Sequence, residues 1–459
     1  IGAGISGLYM AYKLSEKGKK VLIIERNNYL GGRIYTHKDK LAGINFQYEA
    51  GAARIASIHT LVLKLITEFD LDNELIEISN ERIPIVRNLT YNTRHELDTV
   101  YNANDNEKLD IQFLINKVLK KSNLFSEQFL RTISIFNLAQ HILSGPASQF
   151  LLDAFGYDGE LLHLNAYDGI RMFKNSFSFK NKYFILKSGL SNLCNMIGKR
   201  IQDNGGLICL NQDFKGYTSL KNGNFDVNSE SIDKNNKFKC KNLILAIPKA
   251  SLIKLKSLKP ITNELKSVLG HDLIRVYAIY PKNKDGKIWF ENIPKITTDN
   301  PLQYIIPIDK TLGLIMISYS DDRFAKYWQQ SIIRGTLERD LKRHLKKLFP
   351  DSDIPNPKYL KCHFWKNGGH FYRPGYKSYD IYNKISKPFE DKNLYIVGEC
   401  YSLKQAWIEG ALESVEKVLK ILNNENNENN KNNEKNEKNK NNENNENNKN
   451  NKNNKNNEN

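Results

Sequence analysis

Apolar positions along the first 422 residues of the 459-residue chain switch between helical and strand periods, and the alternation predicts an α/β architecture. Leu8, Ala11 and Tyr12 recur at helical spacing, and Val21-Leu22-Ile23-Ile24 follows as an apolar strand closing on Glu25. Leu109, Ile111, Phe113, Leu114 and Val118 form a further helical pattern, and Gly189-Leu190-Ser191-Asn192-Leu193 opens an amphipathic helix. Leu207 to Phe214, Leu273 to Tyr280 and Leu312 to Ser320 read as strands, and Asn242 to Pro248 as a buried strand stopped by proline. Ile332 to Leu348 reads as one helix whose stripe is Ile333, Leu337, Leu341, Leu345 and Leu348, with His344 on its solvent side and without chemistry. Asn393 to Glu399 is a last strand, after which Trp407, Ile408, Ala411, Leu412, Val415, Val418, Leu419 and Leu422 fall on one helical face.

The pattern stops at Asn423, and the last 37 residues contain only Asn, Lys and Glu, with nothing apolar to offset their ordering entropy. This tail is expected to be disordered. Its 7 Lys and 7 Glu cancel, so the formal charge of +17 belongs to the patterned part. The lysines are dispersed rather than set in one aromatic-interleaved stripe, so no nucleic-acid partner is expected. No apolar run approaches the ~20 residues that span a bilayer, so no membrane partner is expected either. The five cysteines, Cys194, Cys209, Cys240, Cys362 and Cys400, have neither disulfide nor zinc spacing, and no metal is expected. With few unpatterned cysteines the cytoplasm is favoured, although a targeting segment before Ile1 would lie outside this chain. Oligomeric state is left open.

Chemistry enters with the glycines. Gly2, Gly4 and Gly7 form G-x-G-x-x-G at the opening of a helix, a second strand follows, and Glu25 stands 18 residues after Gly7. In that context Gly2 permits a tight turn, Gly4 lets a pyrophosphate approach the backbone, and Gly7 lets helix and strand pack closely. The helix N-terminus offers free N–H groups, and Glu25 can accept from ribose hydroxyls while repelling a 2′-phosphate. Leu30-Gly31-Gly32-Arg33-Ile34 then supplies a guanidinium on a glycine-walled turn, able to reach the same pyrophosphate.

At this point the chain resembles the flavin amine oxidase superfamily, whose members carry G-x-G-x-x-G, an acid and a G-G-R segment. The resemblance implies a two-lobed α/β fold: a Rossmann-type FAD-binding domain, a mixed-sheet substrate domain and an inserted helical lobe. The expected segments are 1–59, 188–260 and 388–422 for the FAD domain, 60–175 for the lobe, and 176–187 with 261–387 for the substrate domain. FAD contacts are implied at Gly2, Gly4, Ile5, Ser6, Gly7, Glu25, Arg26, Gly32, Arg33, Gly51, Ala52, Ala53, Arg54, Phe214, Gly398, Glu399, Ala406, Trp407, Ile408 and Ala411. Phe214 would offer its backbone to adenine, and Glu399 a carboxylate to a ribityl hydroxyl. The final helix would turn its N-terminus to the flavin's electron-rich edge.

Glu49-Ala50-Gly51-Ala52-Ala53-Arg54-Ile55 is similar to the G-[AP]-M-R-[FIL] segment of the L-amino-acid oxidase and amino-acid monooxygenase branch, with alanine at Ala53 for methionine. The resemblance implies that Arg54 clamps a substrate carboxylate; alternatively it contacts only FAD phosphates or a surface acid. Tyr372, in the late Trp365 to Gly375 segment, is the expected second carboxylate contact. His370 stands where monoamine oxidases carry a flavin-linked cysteine, so a cysteinyl bond is not expected. Trp407 either packs in the core or walls the substrate cavity, and Arg275 stands where the family often has a flavin-side lysine. The implied reaction is oxidation of the CH–NH2 group of an L-amino acid or related amine, with O2 or another electron acceptor. A polyamine or monoamine oxidase and a catalytically silent flavoprotein remain as alternatives.

Overall fold

The computed structural model describes residues 1–102, 107–232 and 234–425. The order of elements is mixed α/β throughout. Strand Leu22–Ile24 pairs in parallel with Leu207–Cys209, and Leu243–Leu245 in parallel with Leu394–Ile396. Ile1 and Gly2 lie between the two pairs: the Gly2 N–H donates to the Ile24 carbonyl at 2.8 Å, and the Ala246 N–H to the Ile1 carbonyl at 2.8 Å. The start of the chain therefore joins two short pairs into one parallel layer. Helices Ile5–Ser15, Leu190–Asp203 and 408–425 cover it, burying Leu8, Tyr12, Ile23, Leu193, Ile197, Leu412 and Val415 in one core. Burial of each such aliphatic side chain stabilises by about 1.5–3 kcal/mol.

Helix Thr60–Glu68 buries Val62, Leu65 and Ile66 in this same core rather than in a helical lobe. Residues 75–78 and 83–84 are then strands, so after Thr60–Glu68 the next α-helix of the expected lobe is Leu97–Tyr101. From Ile111–Lys121 to Ala166–Lys174 the lobe is built of short helices, several begun by side-chain caps from Asp110, Ser126, Ser134, Ser144 and Asn165. Each such cap contributes about 1 kcal/mol.

The third part is a six-stranded sheet in the order Tyr359–Tyr372, Val268–Ile279, Leu314–Asp321, Tyr304–Asp309, Ile296–Thr297 and Ile83–Pro84. The two-residue period sends Ile274 and Val276 to one face, where they pack with Trp328, Leu341 and Leu345. Arg275 and Tyr277 face the other way. Tyr304 leaves that side to join the lobe core with Phe150 and Phe155.

Three expected elements are redrawn. The strand Leu207 to Phe214 is two strands, Leu207–Cys209 and Asp213–Ser219, because Asn211 takes a left-handed turn (φ 55°) that carries the chain into a separate antiparallel sheet. The helix Ile332 to Leu348 is two helices, Asp322–Ile333 and Leu337–Leu348, broken at Gly335 (φ 67°), which leaves Ile333 69% exposed. His344 is 7% exposed rather than solvent-facing, with Nε2 3.0 Å from the Tyr327 hydroxyl. The helix that closes the first layer runs through Asn423 to Glu425, whose carboxylate accepts from the Tyr395 hydroxyl at 2.6 Å. The rest of the Asn/Lys/Glu tail lies outside the described residues. Among the described residues no helix is long and apolar enough to cross a membrane.

Candidate functional site

The glycine turn forms a cradle. Helix Ile5–Ser15 begins at Gly4 with no side-chain cap and no acid in its first turn, so the N–H groups of Ser6 and Gly7 meet no acceptor among the described residues, while Gly4 and Ile5 run alongside Gly31 in a parallel bridge. A Cβ at Gly4 would meet nothing within 4 Å, whereas one at Gly7 would lie 2.0 Å from the Gly2 carbonyl oxygen. The helix is thus pressed onto the turn while the turn's outer side stays open to a ligand. The Glu25 carboxylate is fixed beside it by the N–H groups of Ala3 at 2.7 Å and Asn27 at 2.8 Å. Gly32 backs onto Gly4, and a Cβ there would lie 3.1 Å from the Gly4 Cα. The Gln212 N–H donates to the Glu25 carbonyl at 2.8 Å, which brings the start of the strand carrying Phe214 to the same edge. Arg26 is exposed and is not drawn into the cradle.

The last strand and helix arrive at the same place. A Cβ at Gly398 would lie 3.7 Å from Ser6 Oγ, and the Gly398 N–H donates to Ser414 Oγ at 2.8 Å. Beside it, Glu399 is buried and holds four donors: Arg33 Nη1 at 2.7 Å, His370 Nδ1 at 3.0 Å, and the N–H groups of His370 at 3.0 Å and Ala406 at 2.9 Å. Burial would raise this carboxyl, but Arg33 and His370 together hold it well below the usual carboxylate range. Burial would likewise lower the His370 imidazolium, but Cys400 and Glu399 push it up to about 9. His370 is 0% exposed, so its ring positions Glu399 from inside the core. Ile408 and Ala411 pack their side chains into the first core, leaving the backbone at the helix start for contacts.

Behind Gly51, Ala52 and Ala53, the chain delivers Arg54 into an aromatic chamber. Its guanidinium lies 5.6 Å from the Tyr183 ring centre and 5.9 Å from that of Trp407. Its hydrogen bonds are two long ones, Nη1 to Asn80 Oδ1 and Nη2 to the Tyr157 hydroxyl, each at 3.4 Å. Among the described residues it forms no ion pair. Trp407 packs edge-on to His59 at 4.7 Å and to Phe177 at 5.6 Å, and its indole N–H has no partner among the described residues. It is at once a packed ring and a wall of the chamber. Arg275 donates to the Glu49 carbonyl at 2.8 Å and stacks on Tyr319 at 4.4 Å. It remains protonated at every accessible pH, unlike a lysine.

One expected contact is not made. The Tyr372 hydroxyl donates to the Tyr401 carbonyl at 2.5 Å inside the core of Leu245, Val268 and Ile396, and does not join Arg54. Tyr372 pairs opposite Val268, and its ring packs in a core separate from the rings around Arg54. The tyrosines that meet Arg54 are instead Tyr157 and Tyr183, and Tyr319, stacked on Arg275, lies 5.4 Å from Tyr157 and 6.1 Å from Tyr304. Tyr157, Tyr183, Tyr304, Tyr319, Arg82 and Lys295 were not anticipated from sequence. The available signal was register: Tyr319 pairs directly opposite Arg275.

The family model for flavin containing amine oxidoreductases matches residues 5–417. The chain belongs to this family. The family's cofactor is FAD, and the cradle, the Arg33–Glu399 pair and the unpartnered indole offer donors and acceptors that fit it. The chain is similar to an L-amino-acid oxidase of Mus musculus, 32% identical over 183 residues, which is 35% of this chain and 28% of the relative. It is 22% identical to achacin of Lissachatina fulica, with 91% of each covered. An amine oxidase [flavin-containing] A of Equus caballus is 30% identical over 102 residues, covering 22% of this chain and 19% of the relative. The matched stretch thus spans under a third of the mouse relative.

Proposed function

We propose that this amine oxidoreductase acts on L-amino acids, converting the CH–NH2 group to an imine that hydrolyses to a 2-oxo acid and ammonia. The observation that carries the reading is Arg54: a guanidinium in an aromatic chamber beside Trp407, with no acid paired to it among the described residues. A desolvated guanidinium is suited to a carboxylate, which an amino acid has and a simple amine lacks. The mouse L-amino-acid oxidase supports this branch.

On this reading residues 1–59, 188–260 and 388–422 form a Rossmann-type FAD domain. FAD, when bound, supplies the acceptor for the hydride leaving the substrate α-carbon. Ile5, Ser6 and Gly7 would hold the pyrophosphate, Glu25 the ribose, and Glu399 a ribityl hydroxyl. Arg54 and the Tyr157 hydroxyl orient the carboxylate, while Trp407 and Tyr183 exclude water and flank the amino group. Positioning and water exclusion, rather than acid–base chemistry, are the protein's main contributions. O2 or another electron acceptor would complete the turnover.

The test is Arg54→Met assayed with an L-amino acid and with the matching decarboxylated amine. KM for the amino acid should rise about 100-fold, the loss of one or two charge-assisted hydrogen bonds, with FAD content retained. A monoamine or polyamine oxidase would show little change in KM and weaker FAD retention, and a silent flavoprotein would turn over neither compound.

A further inference from the structure

Arg54 is not the only cation at the chamber. Lys295 Nζ and Arg54 Nη1 approach the same neutral oxygen, Asn80 Oδ1, at 3.5 Å and 3.4 Å. The two positive groups therefore lie within about 7 Å of each other, where like charges repel strongly out of water. Arg82 joins them: its guanidinium is 5.9 Å from the Tyr304 ring centre, with Lys295 5.8 Å from the same centre, and 5.6 Å from Phe155. Its Nε is buried without a hydrogen-bond partner among the described residues. None of the three cations forms an ion pair among the described residues. The acid whose field reaches Arg54 is Glu160, and burial together with Asp321 holds that carboxyl protonated well above its usual range.

Arg82 and Lys295 thus flank one tyrosine, Arg54 shares Asn80 with Lys295, and among the described residues the three basic groups meet only neutral partners. One carboxylate on Arg54 neutralises that guanidinium and leaves Arg82, with Lys295 beside it, without an anion on the side toward Asn80 and Tyr304. Burial and the two arginines lower Lys295 to about 6, a cost that a bound anion would relieve. By contrast, the wall toward Trp407, Tyr183 and Phe177 is aromatic, suited to the reacting carbon and amine.

We infer that the substrate carries a second carboxylate: an amino acid with an acidic side chain, its α-carboxylate on Arg54 and its side-chain carboxylate on Arg82 and Lys295. This inference rests on the amino-acid reading above and narrows it.

The experiment is anaerobic flavin reduction in the FAD-loaded protein with L-glutamate, L-aspartate, their amides, L-leucine, L-phenylalanine and L-lysine, followed by steady-state kinetics. One of the two acids should exceed its own amide in kcat/KM by about 100-fold, since the amide gives Arg82 and Lys295 no anionic partner. Arg82→Met and Lys295→Met, each checked for retained FAD, should bring that acid-to-amide ratio down at least tenfold. An equal fall for acid and amide would mark these residues as structural and overturn the inference. Reduction by neutral or basic amino acids with the acids no better than their amides would also overturn it, leaving the amino-acid reading intact. Reduction by none of the panel would overturn the amino-acid reading and this inference together.

Discussion

Gly4 separates folding from cofactor binding more cleanly than any other residue of the cradle. Its backbone is extended (φ −66°, ψ 168°), which alanine adopts without strain, and an added Cβ would meet no protein atom within 4 Å. Replacing Gly4 by Ala should therefore leave the fold intact, and the stiffer unfolded chain should add about 0.4–1 kcal/mol of stability. That same methyl would stand where the pyrophosphate must approach the N–H groups of Ile5, Ser6 and Gly7. Lengthening one or two charge-assisted hydrogen bonds costs about 1.5–3 kcal/mol each, so FAD affinity should fall at least about 10-fold. Fluorescence titration of the apoprotein with FAD measures the affinity, and thermal unfolding of the same apoprotein measures the stability. A Gly4→Ala protein that folds as well as the parent and binds FAD equally tightly would refute the assignment of this turn to the pyrophosphate.

Gly7→Ala is expected to behave differently, because its Cβ falls 2.0 Å from the Gly2 carbonyl: apoprotein stability should drop by at least about 2 kcal/mol, read by urea denaturation. Tyr372→Phe should cost about 1–3 kcal/mol of stability by orphaning the Tyr401 carbonyl, with KM for the substrate unmoved; a raised KM would return Tyr372 to the substrate site. His370 is raised from 6.5 to about 9 in the folded protein, so its charge stabilises fully below pH 6.5 and that contribution is lost as pH rises through about 9. The thermal midpoint gap between the parent and His370→Gln should accordingly narrow above pH 9, and a gap independent of pH would show that the imidazolium is not the stabilising form.

The parts legible in the sequence were those that local spacing encodes. Gly2, Gly4 and Gly7, the acid at Glu25 and the stripe from Trp407 to Leu422 each carry their geometry within a few residues, and the structure brings the glycine turn and Gly398–Glu399 together. Less legible were contacts made by register across the sheet. Tyr319 reaches Arg54's chamber because it pairs opposite Arg275, and Tyr372, from a motif-bearing segment, turns into another core. His344, expected on the solvent side, stands three residues after Leu341 and four before Leu348, so helical spacing puts it on the buried face of Leu337–Leu348, where Tyr327 meets its ring. The cations Arg82 and Lys295 are some 200 residues apart in sequence and meet only through the pairing of Ile83–Pro84 with Ile296–Thr297.

The most direct test of the account is anaerobic mixing of the FAD-loaded protein with an L-amino acid and, separately, with the amine that lacks only its carboxylate. The account predicts that the amino acid bleaches the oxidised-flavin absorbance and the amine does not. Bleaching by the amine alone, or by neither compound across the amino-acid panel, would contradict it.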